Sequence, residues 1–273
     1  MTVADSLRAA TQKLSETSDT ARLDAELLMA HALGASRSDM LLRHMDANVP
    51  TCFAALVERR ARHEPVAYLL GEAEFFGRSF IVNPAVLIPR GDSESVVEAA
   101  LEVAPIDGRV LDLGTGSGAL LLTLLAERPG LTGVGIDASL GALAVAAANA
   151  GRLGLGERAR IQRGDWREAG WAVDLGRFDL VIANPPYVET TARLDPSVRE
   201  FEPASALFAG PEGLDDYRII VPQLRSLLTE IGTAVLEIGA GQADLVAQIA
   251  EEAGFSVTLR RDLAERPRAL ILT

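Results

Sequence analysis

The sequence is short of the features that mark several protein classes. Among 273 residues there is one cysteine, Cys52, so no internal disulfide forms. With no second cysteine and no histidine cluster beside it, a structural zinc site is argued against, and Cys52 reads as a small buried or half-buried apolar residue. The three histidines, His31, His44 and His63, fall at spacings that match no metal motif, so no metal is expected. No stretch approaches the roughly 20 uncharged apolar residues of a membrane span. The N-terminus, MTVADSLRAATQKLSE, lacks the basic head and apolar centre of a secretory signal, so a cytoplasmic protein without membrane attachment is expected. Positive charge is also scarce: 26 Lys and Arg against 38 Asp and Glu leave a net charge of -12. Such a balance repels a polyanion, and stable nucleic-acid binding is not expected. Arg59, Arg60 and Arg62 read as a solvated helix face rather than a basic patch.

What is present is apolar residues, 48% of the chain, in short runs broken by Gly, Asp and Arg, enough for one large domain or a domain with a smaller module. Residues 1–73 have a helical pattern: Leu23, Leu27, Leu28 and Ala30 to Leu33 recur at helical spacing until Gly34, with Asp19 placed to cap the start. A second series runs through Met40, Leu41 and Leu42, and Pro50 precedes another helix over 53–62. This predicts a small helical bundle. Residues 74–89 change period, and EFFGRSFIVNPAVLIPR reads as a hairpin linking two domains. From residue 90 to 273 short β-rich runs alternate with helical stretches, which requires an α/β fold with a mostly parallel sheet covered on both faces. A long helical region is predicted after the fourth run, and two late strands in succession predict an antiparallel pair at one end.

The ends of these strands carry the chemistry. RVLDLGTGSG closes the first strand on Gly114, Thr115, Gly116, Ser117 and Gly118, a glycine turn that lets backbone approach a ligand at the carboxyl edge of a sheet. With Ala119 in last place it also fits the permissive dinucleotide fingerprint, which keeps an oxidoreductase open. Asp137 ends the second strand, where a carboxylate accepts from both hydroxyls of an adenosine ribose. Asp165 and Trp166 end the third, one placed to accept from an adenine amino group and the other to pack on the ring, with core packing as the plainer account of the indole.

The fourth strand, FDLVIA, runs into Asn184-Pro185-Pro186-Tyr187. A carboxamide or exocyclic amino nitrogen is a poor nucleophile because its lone pair is delocalised. A site that methylates it holds both N–H groups and turns the lone pair to the donor. The Asn184 side-chain oxygen and the Pro185 carbonyl supply two acceptors, proline adding no competing N–H. Pro186 fixes the loop, and Tyr187 offers a ring to stack on a flat amide or base. In-line displacement from a sulfonium asks mainly for alignment and requires neither metal nor dedicated base.

With these residues in hand, the chain resembles the HemK/PrmC family, release factor glutamine N5-methyltransferases of the S-adenosylmethionine-dependent class I superfamily. The resemblance covers both halves: DAELLMAHALG, EPVAYLLGEAEFFGRSFIVNPAVLIPR, LDLGTGSG, ANPPYV and EPASALFAGPEGLDDYR. It implies a Rossmann-like, mostly parallel seven-stranded sheet with an antiparallel end strand, preceded by a helical bundle that docks the substrate. It also implies S-adenosylmethionine contacts at Gly114 to Gly118, Asp137, Asp165, Trp166 and Asn184, with S-adenosylhomocysteine as product. Asn184 to Tyr187 would hold the glutamine of the Gly-Gly-Gln loop of class I release factors. An adenine-N6 or other nucleic-acid amino-methyltransferase shares the Asn-Pro-Pro-Tyr string but not the N-terminal and linker stretches. Two places depart from the family: Gly91-Asp92-Ser93-Glu94 stands where Pro-Glu-Thr-Glu is usual, and LEIGAGQADLV differs from a glutamine-rich version.

Overall fold

The computed structural model describes residues 2–262 and 264–273. The chain divides into two compact units, Met1–Glu72 with Leu194–Phe201, and Ala73–Arg193 with Glu202–Thr273.

The first unit contains helices α1 (Val3–Leu14), α2 (Ala21–Leu33), α3 (Arg37–Arg43), α4 (Phe53–Arg60) and α5 (Val66–Leu70). Val3, Leu14, Leu28, Met29, Met40 and Phe53 form a core of their own. Gly34 stops α2 in the left-handed conformation at φ 64°, which a glycine adopts without a Cβ penalty. Thr20, not Asp19, is the N-cap of α2. The helix begins at Ala21, one residue later than an Asp19 cap requires, and Thr20 makes no side-chain cap bond: its hydroxyl and that of Ser18 donate to Asp24, one turn further in, at 2.9 and 2.7 Å. Cys52 is exposed, contrary to its sequence reading. It is the N-cap of α4, whose inward face is set by Phe53, Leu56 and Val57. The nearby arginines are neutralised by acids: Arg60 Nε lies 2.7 Å from buried Asp24, and Arg59 forks onto Glu64 at 2.7 and 2.5 Å. The segment Leu194–Phe201 holds one short turn of helix, α9 (Pro196–Arg199), capped by Asp195 through the Ser197 N–H at 2.8 Å.

Strands β1 (Glu72–Phe75) and β2 (Arg78–Ile81) form the hairpin. Its two-residue turn, Phe76 and Gly77, has φ 50° and 70°, the positive pair of a type I′ turn. Beyond it come α6 (Glu94–Val103), β3 (Asp107–Leu113), α7 (Ala119–Glu127), β4 (Gly130–Asp137), α8 (Leu140–Arg152), β5 (Ala159–Arg163) and β6 (Phe178–Ala183). The chain continues through α10 (Asp215–Ile220), α11 (Leu224–Leu227), β7 (Leu228–Glu237), α12 (Ala243–Glu252), β8 (Val257–Arg261) and β9 (Pro267–Leu272).

Seven strands form one sheet in the order β5-β4-β3-β6-β7-β9-β8, parallel except for β9, which runs against both of its neighbours one place in from the edge. This is the mostly parallel seven-stranded sheet expected of a class I methyltransferase. Pro267 opens β9 at the position where a strand tolerates a missing donor. The long helical region expected after β6 is found only in its second half: a loop with one turn, α9, runs as far as Leu214, broken by Pro203, Gly210, Pro211 and Gly213, and residues 215–227 are then continuously helical, α10 and α11 being joined by a 3-10 turn over Val221–Gln223. Buried side chains on the two sides of the sheet form separate clusters, one around Leu121, Leu125 and Ile182, the other around Phe178, Tyr217 and Leu236.

Candidate active site

The strand order reverses between β3 and β6: from β3 the chain builds outward through β4 and β5, then crosses back to β6. A crevice opens at the carboxyl ends of strands at such a point. The register brings the motifs level there. Leu113 pairs with Ile136 on one side and with Ala183 on the other, so the glycine turn after Leu113, Asp137 after Ile136 and Asn184 after Ala183 leave the sheet at one height. Arg163 pairs with Asp137, and Ala183 with Leu236, which extends the row in both directions.

One cleft is lined by Gly114, Thr115, Gly116, Ser117, Asp137, Asp165, Trp166, Asn184 and Pro186. The structure thus brings together nine of the residues singled out in the sequence. Three others lie behind the wall. Gly118 is the N-cap of α7 at φ 82°, and a Cβ there would stand 2.8 Å from Leu122 Cδ1, so this glycine serves close helix packing. Pro185 is buried, and its ring does not line the cleft. Tyr187 is half-buried, its hydroxyl 3.4 Å from Glu237 Oε1, and its carbonyl accepts from Gln242 Nε2 at 3.0 Å. Burial, reinforced by the Glu237 charge, raises the Tyr187 hydroxyl above its ordinary value and keeps it protonated.

The glycine turn is shaped for close approach. Gly114, at φ 74°, has the Trp166 ring 3.2 Å from where a Cβ would stand, whereas Gly116, at φ 55°, has only the Gly114 carbonyl within 4 Å. The Gly114 and Thr115 N–H groups donate to the Ile136 carbonyl at 3.0 and 2.8 Å, which locks the turn to the end of β4. Asp137 accepts from the Gly116 N–H at 3.0 Å and the Ser139 N–H at 2.9 Å, leaving lone pairs on both oxygens. Burial raises its pKa against these bonds.

Sequence reasoning missed one residue that lines this cleft and one that supports it from behind. Asp112, the last but one residue of β3, is 1% exposed; Oδ2 accepts from the Thr115 hydroxyl at 2.7 Å and Oδ1 has no partner among the described residues. Burial pushes its carboxyl up to about 7, the Thr115 bond opposing and the Asp137 charge adding. An acid opening a glycine turn was the available signal. Asn149 of α8, buried among alanines, donates to the Ser117 carbonyl at 2.8 Å and exchanges bonds of 2.7 and 3.0 Å with Ile81, tying the turn to the hairpin. No short-range pattern announces such a link. The family-like stretches after β2 and before α10 also meet here: Glu202, buried, accepts from the Ile88 N–H at 3.1 Å and pairs with Arg90. Ala85 to Leu87, Pro89 and Arg90 on one side, with Pro203, Ser205 and Ala206 on the other, complete the cleft. At the departure from the family pattern, Asp92 pairs with Arg266 and Arg268, and Ser93 is buried, so the acidic and hydroxyl positions keep structural work without the proline.

No group of acids, histidines and cysteines among the described residues is placed to hold a metal ion, and no helix there is long and apolar enough to cross a membrane.

Comparison with known proteins adds to this geometry. The PrmC N-terminal domain family matches residues 5–71, and the methyltransferase small domain family matches residues 93–208. A release factor glutamine methyltransferase of Cereibacter sphaeroides is 42% identical over 275 residues, spanning 98% of this chain and 97% of its own. One of Rhodospirillum rubrum is 42% identical over 257 residues, 92% of this chain and 78% of its own. Among solved structures, a methyltransferase from Pyrococcus furiosus superposes with a TM-score of 0.54 at 15% identity, over 79% of this chain and 97% of that one. A ribosomal protein L11 methylase from Lactobacillus delbrueckii subsp. bulgaricus gives 0.50 at 22% identity, over 74% and 89%. These structures share the fold.

Proposed function

Because the chain belongs to the release factor glutamine methyltransferase family, we propose that it methylates the side-chain amide nitrogen of the Gly-Gly-Gln glutamine of class I peptide chain release factors, in the cytoplasm, using S-adenosylmethionine. The observation that carries this reading is the pairing of Leu113 with Ala183, which sets the glycine turn and Asn184 side by side at the switch point.

The cleft has the donor set that S-adenosylmethionine asks for. Asp137 retains free lone pairs for ribose hydroxyls. Trp166 offers a ring face to adenine and Asp165 an acceptor for its amino group. The glycine turn leaves room for the sulfonium arm at Gly116. The unpartnered Asp112 Oδ1 is a buried acceptor in want of a cation, which an amino-acid ammonium supplies. S-adenosylmethionine supplies a methyl carbon on a sulfonium and leaves as S-adenosylhomocysteine.

Asn184 and the Pro185 carbonyl then hold the two N–H groups of the glutamine amide, turning its lone pair toward the methyl carbon. The nitrogen gains the methyl, and the proton it sheds leaves to water. No hydrogen bond occupies the Asn184 side chain among the described residues, so its oxygen remains free to accept. The Tyr187 hydroxyl, kept protonated, anchors the loop from behind the cleft wall rather than acting as a base.

The test is to incubate the protein with S-adenosylmethionine and a purified class I release factor, digest the factor and locate added mass by spectrometry. A single methyl on the Gly-Gly-Gln glutamine is expected. Methyl groups on plasmid DNA or on another protein, with the factor unmodified, would overturn the substrate; an absence of methylation and of cofactor binding would overturn the reading altogether.

A further inference from the structure

Trp166 is gripped from two directions by a segment that never touches the cleft. Asp216, on α10, is 0% exposed, and its Oδ1 accepts from the Trp166 indole Nε1 at 2.8 Å and from Arg167 Nη2 at 2.6 Å. Seven residues on, Gln223 Nε2 donates to the Trp166 carbonyl at 3.1 Å and to the Ile219 carbonyl at 2.8 Å, while its Oε1 accepts from Trp171 Nε1 at 2.7 Å. Ring and backbone of Trp166 are therefore both fixed to the turn that follows the loop. The ring in turn lies against Gly114, 3.2 Å from where a Cβ would stand, a tight approach. Asp216 and its neighbour Tyr217, whose hydroxyl donates to the Glu237 carbonyl at 2.7 Å, are the two buried polar residues of the LDDYR string, which the functional reading so far leaves without a role.

Placing a carboxylate in a fully buried position costs free energy unless donors surround it. The Arg167 partner is half exposed and by itself is a poor reason to bury an acid. The indole N–H is the other donor, and it belongs to a ring that lines the cleft and touches the glycine turn at Gly114. Without an acceptor at that point the terminal torsion of a tryptophan has two broad wells. With it, one is selected.

We propose that Asp216 is a positioning residue for cofactor binding: its buried carboxylate holds the Trp166 indole in the one orientation that walls the adenosine end of the cleft. The inference rests on the reading of that cleft as the S-adenosylmethionine site. Asp216 does not line the cleft; its effect is routed through Trp166 rather than through Arg167, the other cleft-lining residue that it holds.

The experiment is a double-mutant cycle on S-adenosylmethionine affinity, measured by calorimetry on the full chain. Asp216→Ala is expected to weaken binding by about tenfold, the range for loss of a hydrogen bond to a charged group. Asp216→Asn, which keeps an acceptor oxygen, is expected to restore affinity to within about threefold. In a Trp166→Phe background, where no N–H remains to be held, Asp216→Ala is expected to add less than about twofold. Wild-type affinity in Asp216→Ala, or an equal loss in both backgrounds, would overturn the proposal. Should Asp216→Ala fail to fold, Trp166→Phe carries the test, since it removes the donor and leaves the acceptor; unchanged affinity there overturns it equally. Trp166 emission, read in a Trp171→Phe background without cofactor, reports the hold directly and is expected to shift to the red in Asp216→Ala. Failure of the wild type to bind S-adenosylmethionine, with the red shift still seen in Asp216→Ala, would overturn the functional reading while upholding the contact.

Discussion

Asn184 and Asp112 make opposite demands on the residue scale, one needing an open acceptor and the other a buried acid. Asn184→Ala removes the oxygen that aligns the reacting amide, and the loss falls on turnover: a drop of about 100-fold or more in kcat is expected, with S-adenosylmethionine affinity changed by less than about threefold. Wild-type-like turnover in that variant would sink the mechanism. Asp112 and Glu237 are both pushed up to about 7 by burial. Each carboxyl thus binds its proton more tightly folded than unfolded, so its contribution is fully present below the unfolded value and is lost as pH rises to about 7. The unfolding free energy of the cofactor-free protein should accordingly fall between about pH 4 and 7, by at most about 1.4 kcal/mol per pH unit for each group. Asp112→Asn should flatten that slope in denaturant titrations at a series of pH values; an unchanged slope would contradict the assignment.

Elements were legible wherever one local rule decided them. Gly34 ending α2, the hairpin around Gly77 and the four strand-end motifs follow from residues within a few positions of one another. What the sequence did not disclose depends on partners far along the chain. Thr20 rather than Asp19 takes the cap position of α2, and its hydroxyl is drawn to Asp24 instead of to the helix N–H groups. Cys52 is exposed because its helix turns the other face inward. Of the region after β6 expected to be helical, residues 215–227 are so, whereas the stretch before them is broken by Pro203, Gly210, Pro211 and Gly213, and Leu194–Phe201 belongs to the helical unit. Three residues of the motifs, Gly118, Pro185 and Tyr187, sit behind the cleft wall, a distinction that depends on register and on the path of the loop rather than on residue type. Glycines of the same hand also differ in what they hold. At Gly77 a Cβ meets nothing within 4 Å, whereas at Gly118 it meets Leu122. Gly77→Ala should therefore cost only the backbone penalty of about 1–2 kcal/mol, and Gly118→Ala that penalty plus about 1 kcal/mol or more of repacking. Equal losses on chemical denaturation would show that helix α7 yields freely.

On the scale of the whole molecule, the helical unit and the sheet unit have separate hydrophobic cores. Two calorimetric transitions are therefore expected rather than one. Asp24→Ala leaves Arg60, 12% exposed, without its buried partner. It should lower the transition of the helical unit by about 3 kcal/mol, leaving the other in place. Saturating S-adenosylmethionine at about 100 times its Kd should raise only the sheet unit's transition, by about 2.7 kcal/mol. A single peak that moves as a whole in both experiments would refute this division. The excursion of Leu194–Phe201 gives the division a further meaning. Three chain crossings, after residues 72, 193 and 201, join the two units, so the helical unit is not a cassette. A chimera that exchanges residues 1–72 for those of a relative inherits eight foreign residues in its own helical unit, and a faithful transplant must splice the gene at three points. Residues 1–72 and 194–201, far apart in the gene, pack as one body and have to be exchanged together.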